Sequence, residues 1–239
     1  MSTPAPVEQE ALPTSRRVSL LERQTAVLKM IAADEPLKDV LEALCRIAED
    51  YASQRVHAAI LLVDQSRNVL RPGAAPSLPE DYSSKLDGVP VDPAIGTCAR
   101  AAALREVVVT PDIAAAPGWA AICHLPASLG LRAAWSMPIV SSTGTVLGTF
   151  GTYFRECRGP DARERELVAV LSHTAALAIE RRRTDEALRT RERELAVSEA
   201  RHRAMFQANP ECVKIIAGDG TTLAMNASGL RLLGLPEES

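Results

Sequence analysis

The sequence has few aromatic residues: two Trp, three Tyr and three Phe make up 3% of its 239 residues. It has no run approaching the roughly 18 apolar residues of a membrane-spanning helix, and the stretch before Arg17 lacks the apolar segment of a secretory signal. We therefore expect no membrane insertion and no export. The five cysteines show no CxxC spacing, which argues against a zinc site and a disulfide framework. A reducing cytoplasm is the expected location.

The chain also lacks an excess of positive charge, with 27 Lys and Arg against 30 Asp and Glu. The formal net charge is −3 and the isoelectric point is about 5.9, so the chain has no global field that would attract nucleic acid. The run Arg181-Arg182-Arg183 lies in a segment rich in acid-to-base pairs four residues apart, such as Asp185 with Arg189. We read the run as a solvated helix face and expect no nucleic-acid partner.

Motifs that carry catalysis are missing. The sequence contains no GxxxxGK[ST] phosphate loop, no HExxH and no GxSxG elbow, and its four histidines stand far apart. His173, in the context SHTAAL, lacks the acidic neighbour of a kinase phosphoacceptor histidine, so we read it as a helix packing residue. We expect no catalytic module and no metal site in this chain, and the patterns name no cofactor.

The first 160 residues alternate helical and strand patterns. Residues 1–18 are rich in proline and are predicted to be disordered, and Ser19 is a candidate helix N-cap. Apolar periodicity predicts two amphipathic helices, a first hairpin, short helices at 79–86, at 98–104 after a capping Thr97, and at 118–129, and a closing hairpin. The predicted strands are 57–64, 69–70, 107–109, 132–140 and 145–154. This order predicts an α+β fold with a central antiparallel sheet flanked by helices.

Residues 161–205 contain neither proline nor glycine, so nothing in the sequence interrupts a helix of about 45 residues. Apolar residues recur at heptad spacing but are interrupted by polar ones, which predicts a parallel homodimer through an imperfect coiled coil. The two rows of the seam are Leu167, Thr174, Arg181, Leu188, Leu195 and His202, and Val170, Leu177, Thr184, Arg191, Ser198 and Met205. The chain then continues with a predicted hairpin of strands at 212–217 and 221–225 and a short helix ending at Gly234.

Two stretches carry a resemblance to known families. GLRAAWSMPIVSSTGTVLGTFGTYF, residues 130–154, resembles the closing hairpin of GAF domains from bacterial multi-sensor proteins, as do LPEDYSSKLDGVPVDPAIGTCARAAALREVVVTPDI, residues 78–113, and the helix start Pro117-Gly118-Trp119. RHRAMFQANPECVKIIAGDGTTLAMNASGLRLLGLPEE, residues 201–238, resembles the opening third of a PAS domain, with Asn226 at the start of a helix.

The resemblance implies a leader at 1–18, a GAF sensory domain at 19–158, a signalling helix at 159–206 and a truncated PAS domain at 207–239. It implies the input region of a bacterial sensor histidine kinase that binds a small ligand or relays a conformational change. The alternatives are a ligand-free GAF domain that only dimerises, and the input region of a cyclic-di-GMP cyclase or phosphodiesterase. A histidine kinase or diguanylate cyclase domain would then follow in the full-length protein.

Seven residues are candidates for a small-molecule pocket between the sheet and the crossover helices. Large side chains and scattered polar groups are the usual composition of such pockets, although each candidate also has an ordinary reading as a core, turn or surface residue. They are Trp119, Trp135, Cys98, Asp112, Arg132, Thr149 and Tyr153.

Three cysteine and histidine positions suggest more specific roles. Cys98 at a helix N-terminus could be a redox-active thiolate, because the helix dipole lowers a thiol pKa, or simply a small buried hydrophobe. Cys123-His124 resembles the chromophore attachment pair of bilin-binding GAF domains, but it lies two residues too close to the following strand. His124 is also a candidate haem ligand, without a second ligand to support it.

Overall fold

The computed structural model describes residues 14–52, 54–120, 122 and 124–235, with side chains from residue 18 onward. These residues form two compact units, one ending at Arg182 and the other beginning at Arg183. Within the described ranges, no helix has the length and apolar character required to cross a membrane.

The first unit contains most of the secondary structure. Its helices are α1 (Thr14–Ala32), α2 (Leu37–Tyr51), α3 (Glu80–Lys85), α4 (Cys98–Leu104), α5 (His124–Ser128) and the first part of α6 (Ala162–Ala208). Its strands are β1 (Val56–Asp64), β2 (Val69–Ala74), β3 (Val108–Thr110), β4 (Ala133–Val140) and β5 (Val146–Phe154).

The five strands form one antiparallel sheet in the order β2-β1-β5-β4-β3. β5 lies at the centre, paired with β1 on one side and with β4 on the other, and all nine of its residues are buried. The predicted closing hairpin is confirmed: β4 and β5 are joined by a tight turn in which Gly144 adopts a φ of 83°, a conformation that glycine reaches without steric cost. The predicted α+β architecture is thereby confirmed.

The sheet separates two cores. We call its two sides the helix face, which packs against α1, α2 and the start of α6, and the crossover face, which packs against α3, α4 and α5. Because successive side chains of a strand point to opposite sides, each central strand contributes to both cores. On β5, for example, Phe150 and Phe154 belong to the helix face and Tyr153 to the crossover face.

The start of α6 is part of the helix face. Val168, Leu171, Ala175 and Ile179 are buried there at intervals of three and four residues, the spacing of one helix face. On the same stretch Val170 is 46% exposed and Leu177 is 57% exposed. The helix runs without a break from residue 162 to 208, as the absence of proline and glycine predicted.

Three sequence predictions differ from the structure. α1 begins at Thr14, so Ser19 lies inside the helix and does not cap it. The same helix includes residues 14–18 of the leader predicted to be disordered, and the rest of that leader lies outside the described residues. The single helix predicted for residues 118–129 is a 3₁₀ turn, Pro117–Trp119, followed by the short α5. Pro126 explains this difference, because a proline has no N–H for an α-helical bond and its ring clashes with the preceding turn, so it is tolerated only near a helix start.

The second unit is small. The end of α6 is followed by the two-stranded antiparallel sheet of β6 (Lys214–Ile216) and β7 (Thr222–Met225), and then by α7 (Ala227–Leu233). Asn226 is fully buried and caps α7: its side-chain oxygen accepts hydrogen bonds from the Gly229 and Val213 N–H groups, and its nitrogen donates to the Glu211 carbonyl. A single asparagine thus holds the loop, the hairpin and the helix together.

Candidate functional site

The centre of the candidate site is the thiol of Cys98, the first residue of α4. The sulfur lies directly above Gly151 on β5, where an added Cβ atom would be only 2.8 Å from it. Its distance to the Tyr153 hydroxyl is 3.9 Å. Because position 151 has no side chain, the Cys98 thiol of α4 can pack directly against the central strand of the sheet.

Hydroxyl groups surround this thiol. Thr149 and Tyr153 flank Gly151 at two-residue spacing on β5, and Ser136 is the register partner of Gly151 on β4. The Tyr82 ring from α3 meets the Tyr153 ring edge to face, with 5.8 Å between ring centroids. We call Tyr82, Cys98, Ser136, Thr149 and Tyr153 the hydroxyl cluster.

Three members of the hydroxyl cluster lack hydrogen-bond partners. The hydroxyls of Tyr82, Ser136 and Thr149 are buried and make no hydrogen bond of standard geometry in the described part of the chain, and Ser136 and Thr149 are 0% exposed. Ser136 and Thr149 do lie close enough to Cys98 to lower its thiol pKa. A buried hydroxyl without a partner costs about 1–3 kcal/mol, so these groups have unused capacity for hydrogen bonds.

A cavity of about 20 Å³ borders the cluster at Cys98 and Tyr153. This volume holds about one water molecule. The remaining walls are apolar apart from Thr97 and Gly96: Leu61, Leu70, Leu86, Val89, Ile95, Ala99, Trp119 and Ile122. Thr149 is the register partner of Leu61, so the cavity wall and the hydroxyl cluster are continuous across the sheet.

Trp119 lines the cavity and is held in place by hydrogen bonds. Its indole Nε1 donates a hydrogen bond of 3.0 Å to the Thr97 hydroxyl, which also bonds to the Thr110 hydroxyl at 2.8 Å. The Gly96 N–H donates to the Gly118 carbonyl at 2.8 Å. Thr97 was predicted to cap α4, but its side chain makes no capping bond because it is used to hold Trp119.

The environment of Cys98 favours the neutral thiol. Burial raises its pKa above the ordinary value of 9.0, and the neighbouring hydroxyls of Ser136, Tyr153 and Thr149 oppose the shift only in part. Burial likewise raises the pKa of Tyr153 and of Tyr82. The helix N-terminus therefore does not produce the low-pKa thiolate on which the redox hypothesis depends, because desolvation outweighs the dipole.

The structure brings together four of the seven predicted site residues: Cys98, Trp119, Thr149 and Tyr153. Trp135 lies on the helix face, on the other side of the sheet from Cys98. Asp112 follows β3, where its carboxylate accepts a hydrogen bond from the Ala114 N–H. The Arg132 side chain is exposed at the start of β4.

The Cys123-His124 pair is only partly described. Cys123 lies outside the described residues, and the His124 side chain is exposed at the first turn of α5. Within the described ranges, no three His, Cys, Asp or Glu side chains are grouped so that they could hold a metal ion. Among the described cysteines, Cys98 lines the cavity between α4 and the sheet.

Sequence reasoning missed Tyr82 and Ser136. Ser136 carried a usable signal, since a serine inside the apolar strand 133–140 opposite Gly151 is a polar group that must be buried. Tyr82 carried none, because the short helix predicted at 79–86 has no apolar periodicity that shows which side is buried, and Tyr82 is buried through the packing of α3 against Tyr153.

Among curated proteins, the chain is similar to the methyl sulfide methyltransferase-associated sensor of Methanosarcina acetivorans. The two are 32% identical over 201 residues, which cover 84% of this chain. The chain spans 19% of the length of that relative.

Solved structures share the fold. A domain assigned to a two-component sensor histidine kinase of Sinorhizobium meliloti 1021 aligns with a TM-score of 0.52 and 23% identity, covering 64% of this chain and 97% of that one. The free methionine-R-sulfoxide reductase of Neisseria meningitidis, in complex with its substrate, aligns with a TM-score of 0.55 and 18% identity, covering 75% and 98%.

The same sheet and helical layers thus occur in a sensory protein and in an enzyme, so the fold by itself does not separate binding from catalysis. The GAF domain family model matches residues 34–180, which include every strand of the central sheet and the whole hydroxyl cluster. The chain therefore belongs to the GAF domain family.

Proposed function

We propose that this chain is the input region of a signalling protein, in which a small ligand at the hydroxyl cluster alters the pairing of α6 between two copies of the chain. The observation that carries the proposal is the set of three buried, unpartnered hydroxyls around Cys98 and Tyr153, which line a cavity together with a hydrogen-bonded tryptophan. A ligand that satisfies these groups would stabilise one arrangement of the domain over another.

β5 supplies a route from the ligand to the helix. Thr149 and Tyr153 contact the site, while Phe150 and Phe154 on the same strand pack into the helix face with Leu171 and Ile179 of α6. A shift of β5 would move both sets of contacts together, because close-packed cores transmit displacement. The sheet itself is thus the physical connection between the pocket and α6.

Pairing of α6 with a second copy is supported by its exposed apolar residues. Val170, Leu177, Leu188, Leu195 and Met205 are exposed at 46–65% and all fall on the two heptad rows. Polar residues interrupt both rows, and such interruptions lower the stability of one register relative to another. A coiled coil of this kind suits a switch between two pairings.

The second unit fits the start of a PAS-type domain, the assignment made from the sequence of residues 201–238. Its hairpin, the asparagine cap of α7 and a set of exposed apolar residues support this part of the proposal. The exposed residues are Ile215, Ile216, Leu223, Leu232, Leu233 and Leu235. Two strands and one helix bury too little apolar surface to be stable alone, so these residues need a covering layer.

The output is proposed from the arrangement of domains. A GAF domain, a charged helix and a PAS-type segment are the order found in sensor histidine kinases, and the similarity to the Methanosarcina acetivorans sensor supports a signalling role. A cytoplasmic location is part of the proposal. An output through cyclic-di-GMP turnover remains the alternative, since the same input arrangement serves such enzymes.

A ligand-free module that only dimerises is the second candidate function. The exposed heptad residues support this function equally. A ligand-free module does not account for the unpartnered hydroxyls of Tyr82, Ser136 and Thr149, however. The two functions differ in one respect: only in the sensor does a change beside Cys98 alter the pairing of α6.

Disulfide crosslinking tests both parts of this proposal. Cys157 and Cys212, which are exposed, are replaced by Ser, and a single cysteine is introduced as Leu195→Cys on the heptad seam or as Val197→Cys beside it. Both positions are 60% exposed, so they differ only in whether they face a partner helix. We expect rapid crosslinking between copies for Leu195→Cys and little for Val197→Cys.

The relay is tested in the same protein with Gly151→Ala, whose added methyl displaces the Cys98 sulfur, against Gly218→Ala, which adds a methyl in open space. We expect Gly151→Ala to change the crosslinking rate of Leu195→Cys and Gly218→Ala to leave it unchanged. Equal crosslinking at positions 195 and 197 would refute the seam, and an unchanged rate in Gly151→Ala would refute the relay and favour the ligand-free module.

A further inference from the structure

We infer that the ligand of the hydroxyl cluster is a small uncharged molecule with an apolar body and one strongly polar end, such as a short amide, ketone or alcohol, and not an anion or a cation. This inference rests on the proposed sensory function and specifies the chemistry of its site.

Among the described residues, the walls of the cavity at Cys98 include no Asp, Glu, Lys, Arg or His. Charged side chains line a separate, larger cavity of about 570 Å³, which Tyr82 borders together with Lys38, Glu42 and Arg46. The groups that shift the pKa values of Cys98, Tyr82 and Tyr153 are burial and one another, with Ser136 and Thr149, and none is a charged side chain. An ion entering this site would lose its water and gain no opposite charge in return.

The nearest imidazole does not supply a charge either. His57 is the register partner of Tyr153 on β1, and its Nδ1 lies 3.0 Å from the Ser77 hydroxyl. Burial lowers the pKa of His57 below its ordinary value of 6.5, and Arg155 lowers it further while Glu49 opposes the shift. The ring is therefore neutral at pH 7, and Arg55, the remaining charge that acts on it, also disfavours the protonated form.

The groups that are present match a neutral polar ligand. Each hydroxyl of Tyr82, Ser136 and Thr149 can both donate and accept a hydrogen bond, so together they can satisfy a carbonyl oxygen, an amide or an alcohol. Beyond Cys98 and Tyr153 the cavity is lined by Leu, Val and Ile side chains, which suit an apolar body. The volume of about 20 Å³ holds about one water molecule, so a ligand of several heavy atoms enters only if side chains that line the cavity, such as Trp119, move apart.

Unpartnered polar groups also occur on the helix face, but the cavity at Cys98 does not reach them. Trp135 Nε1, Thr152 Oγ1 and Ser172 Oγ are buried without partners in the described part of the chain. The cavity at Cys98 borders none of them, and Thr152 lies between Trp135 and Ala58 in the sheet. Only the crossover face combines such groups with space for a ligand at Cys98.

The two tryptophans provide a reporter on each side of the sheet. Trp119 lines the cavity and Trp135 is buried on the helix face, so the indole N–H signals of the full chain in ¹H–¹⁵N NMR spectra report the two faces separately. The probes are acetamide, acetate and acetamidinium, which are nearly isosteric and carry no charge, a negative charge and a positive charge. Butyramide, butyrate and butyramidinium repeat the comparison with a longer apolar body.

We expect both amides to shift the Trp119 signal saturably and to bind at least roughly tenfold more tightly than the matching ions, because each ion would be buried without a counter-charge. Butyramide should bind more tightly than acetamide. Thr149→Val and Ser136→Ala should each weaken amide binding by about fivefold or more, since each removes a hydroxyl partner. Thr152→Val, the matched substitution on the helix face, should leave binding unchanged.

Tighter binding of the carboxylates or amidiniums, or amide binding that survives both Thr149→Val and Ser136→Ala, would overturn the inference. So would a Trp119 signal that none of the six compounds shifts. None of these results decides the proposed sensory function. That function is tested independently by crosslinking at positions 195 and 197 and by the Gly151→Ala variant.

Discussion

The two faces of the sheet are built from the same strands but differ in the groups that they bury. The helix face packs Trp135, Phe150 and Phe154 against α2 and α6. The crossover face buries the phenols of Tyr82 and Tyr153 and places the Cys98 thiol over a glycine, beside a cavity. Both faces carry buried polar atoms without partners in the described part of the chain, but at Cys98 such atoms lie near a cavity.

The largest effect is expected from removing a ring on the helix face. Phe150→Ala deletes a fully buried phenyl group between the sheet and the helices, and we expect it to lower the free energy of unfolding by about 3–5 kcal/mol. Urea denaturation followed by circular dichroism measures this. A loss under about 1 kcal/mol would mean that this face is no better packed than the other.

Overfilling the crossover face should cost less. Gly151→Ala places a methyl group 2.8 Å from the Cys98 sulfur, and we expect a loss of about 1–3 kcal/mol in the free energy of unfolding. Cys98→Ala in the same chain removes the sulfur, so the double variant should recover most of the loss. Denaturation of the two single variants and the double variant measures the coupling, and additive losses would show that the two side chains do not meet.

Alkaline pH should weaken the crossover face through its buried acids. The folded-state pKa of Cys98 is raised above 9.0 and that of Tyr153 above 10.0, so the folded chain retains protons that the unfolded chain releases. The stabilisation is complete below pH 9 and is lost as the pH rises above it, at up to about 1.4 kcal/mol per pH unit for each group.

Stability measured between pH 8 and 11 should fall less steeply in Cys98→Ala than in the unchanged chain. Cys157→Ala, at an exposed thiol, is the matched control and should keep the original slope. Cys45 on the helix face has a pKa raised in the same direction, so part of the slope remains in Cys98→Ala. Identical slopes in all three proteins would contradict the burial of the Cys98 thiol.

The smallest effect is expected at the unpartnered threonines. Thr149→Val and Thr152→Val replace hydroxyls that lack partners on opposite faces of the sheet. Each should raise the free energy of unfolding by about 1 kcal/mol and therefore raise the melting temperature slightly. Differential scanning calorimetry of the ligand-free protein measures both. A loss of stability in Thr149→Val would show that its hydroxyl is already satisfied inside the protein.

Much of the fold follows from local patterns. The spacing of apolar residues predicted α2 and the closing hairpin, and the missing glycine and proline predicted the unbroken α6, because these features depend on neighbours in the sequence. The helix predicted at 118–129 was wrong because apolar periodicity outweighed Pro126, whose missing N–H limits the helix to a short turn. Four of the seven candidate site residues lie together. The positions of the other three depend on side-chain direction and strand register, which no local pattern contains.

Direction and register decide where the large rings lie. Trp135 and Tyr153 are both large residues on neighbouring strands, yet the pairing of Trp135 with Thr152 and of Ala134 with Tyr153 sends the two rings to opposite faces. A one-residue shift in that pairing would exchange them. The sequence by itself determined the elements and the exposed heptad rows of α6. Only the tertiary structure decided which side chains meet at Cys98, because residues distant in the chain become neighbours through strand register and helix packing alone.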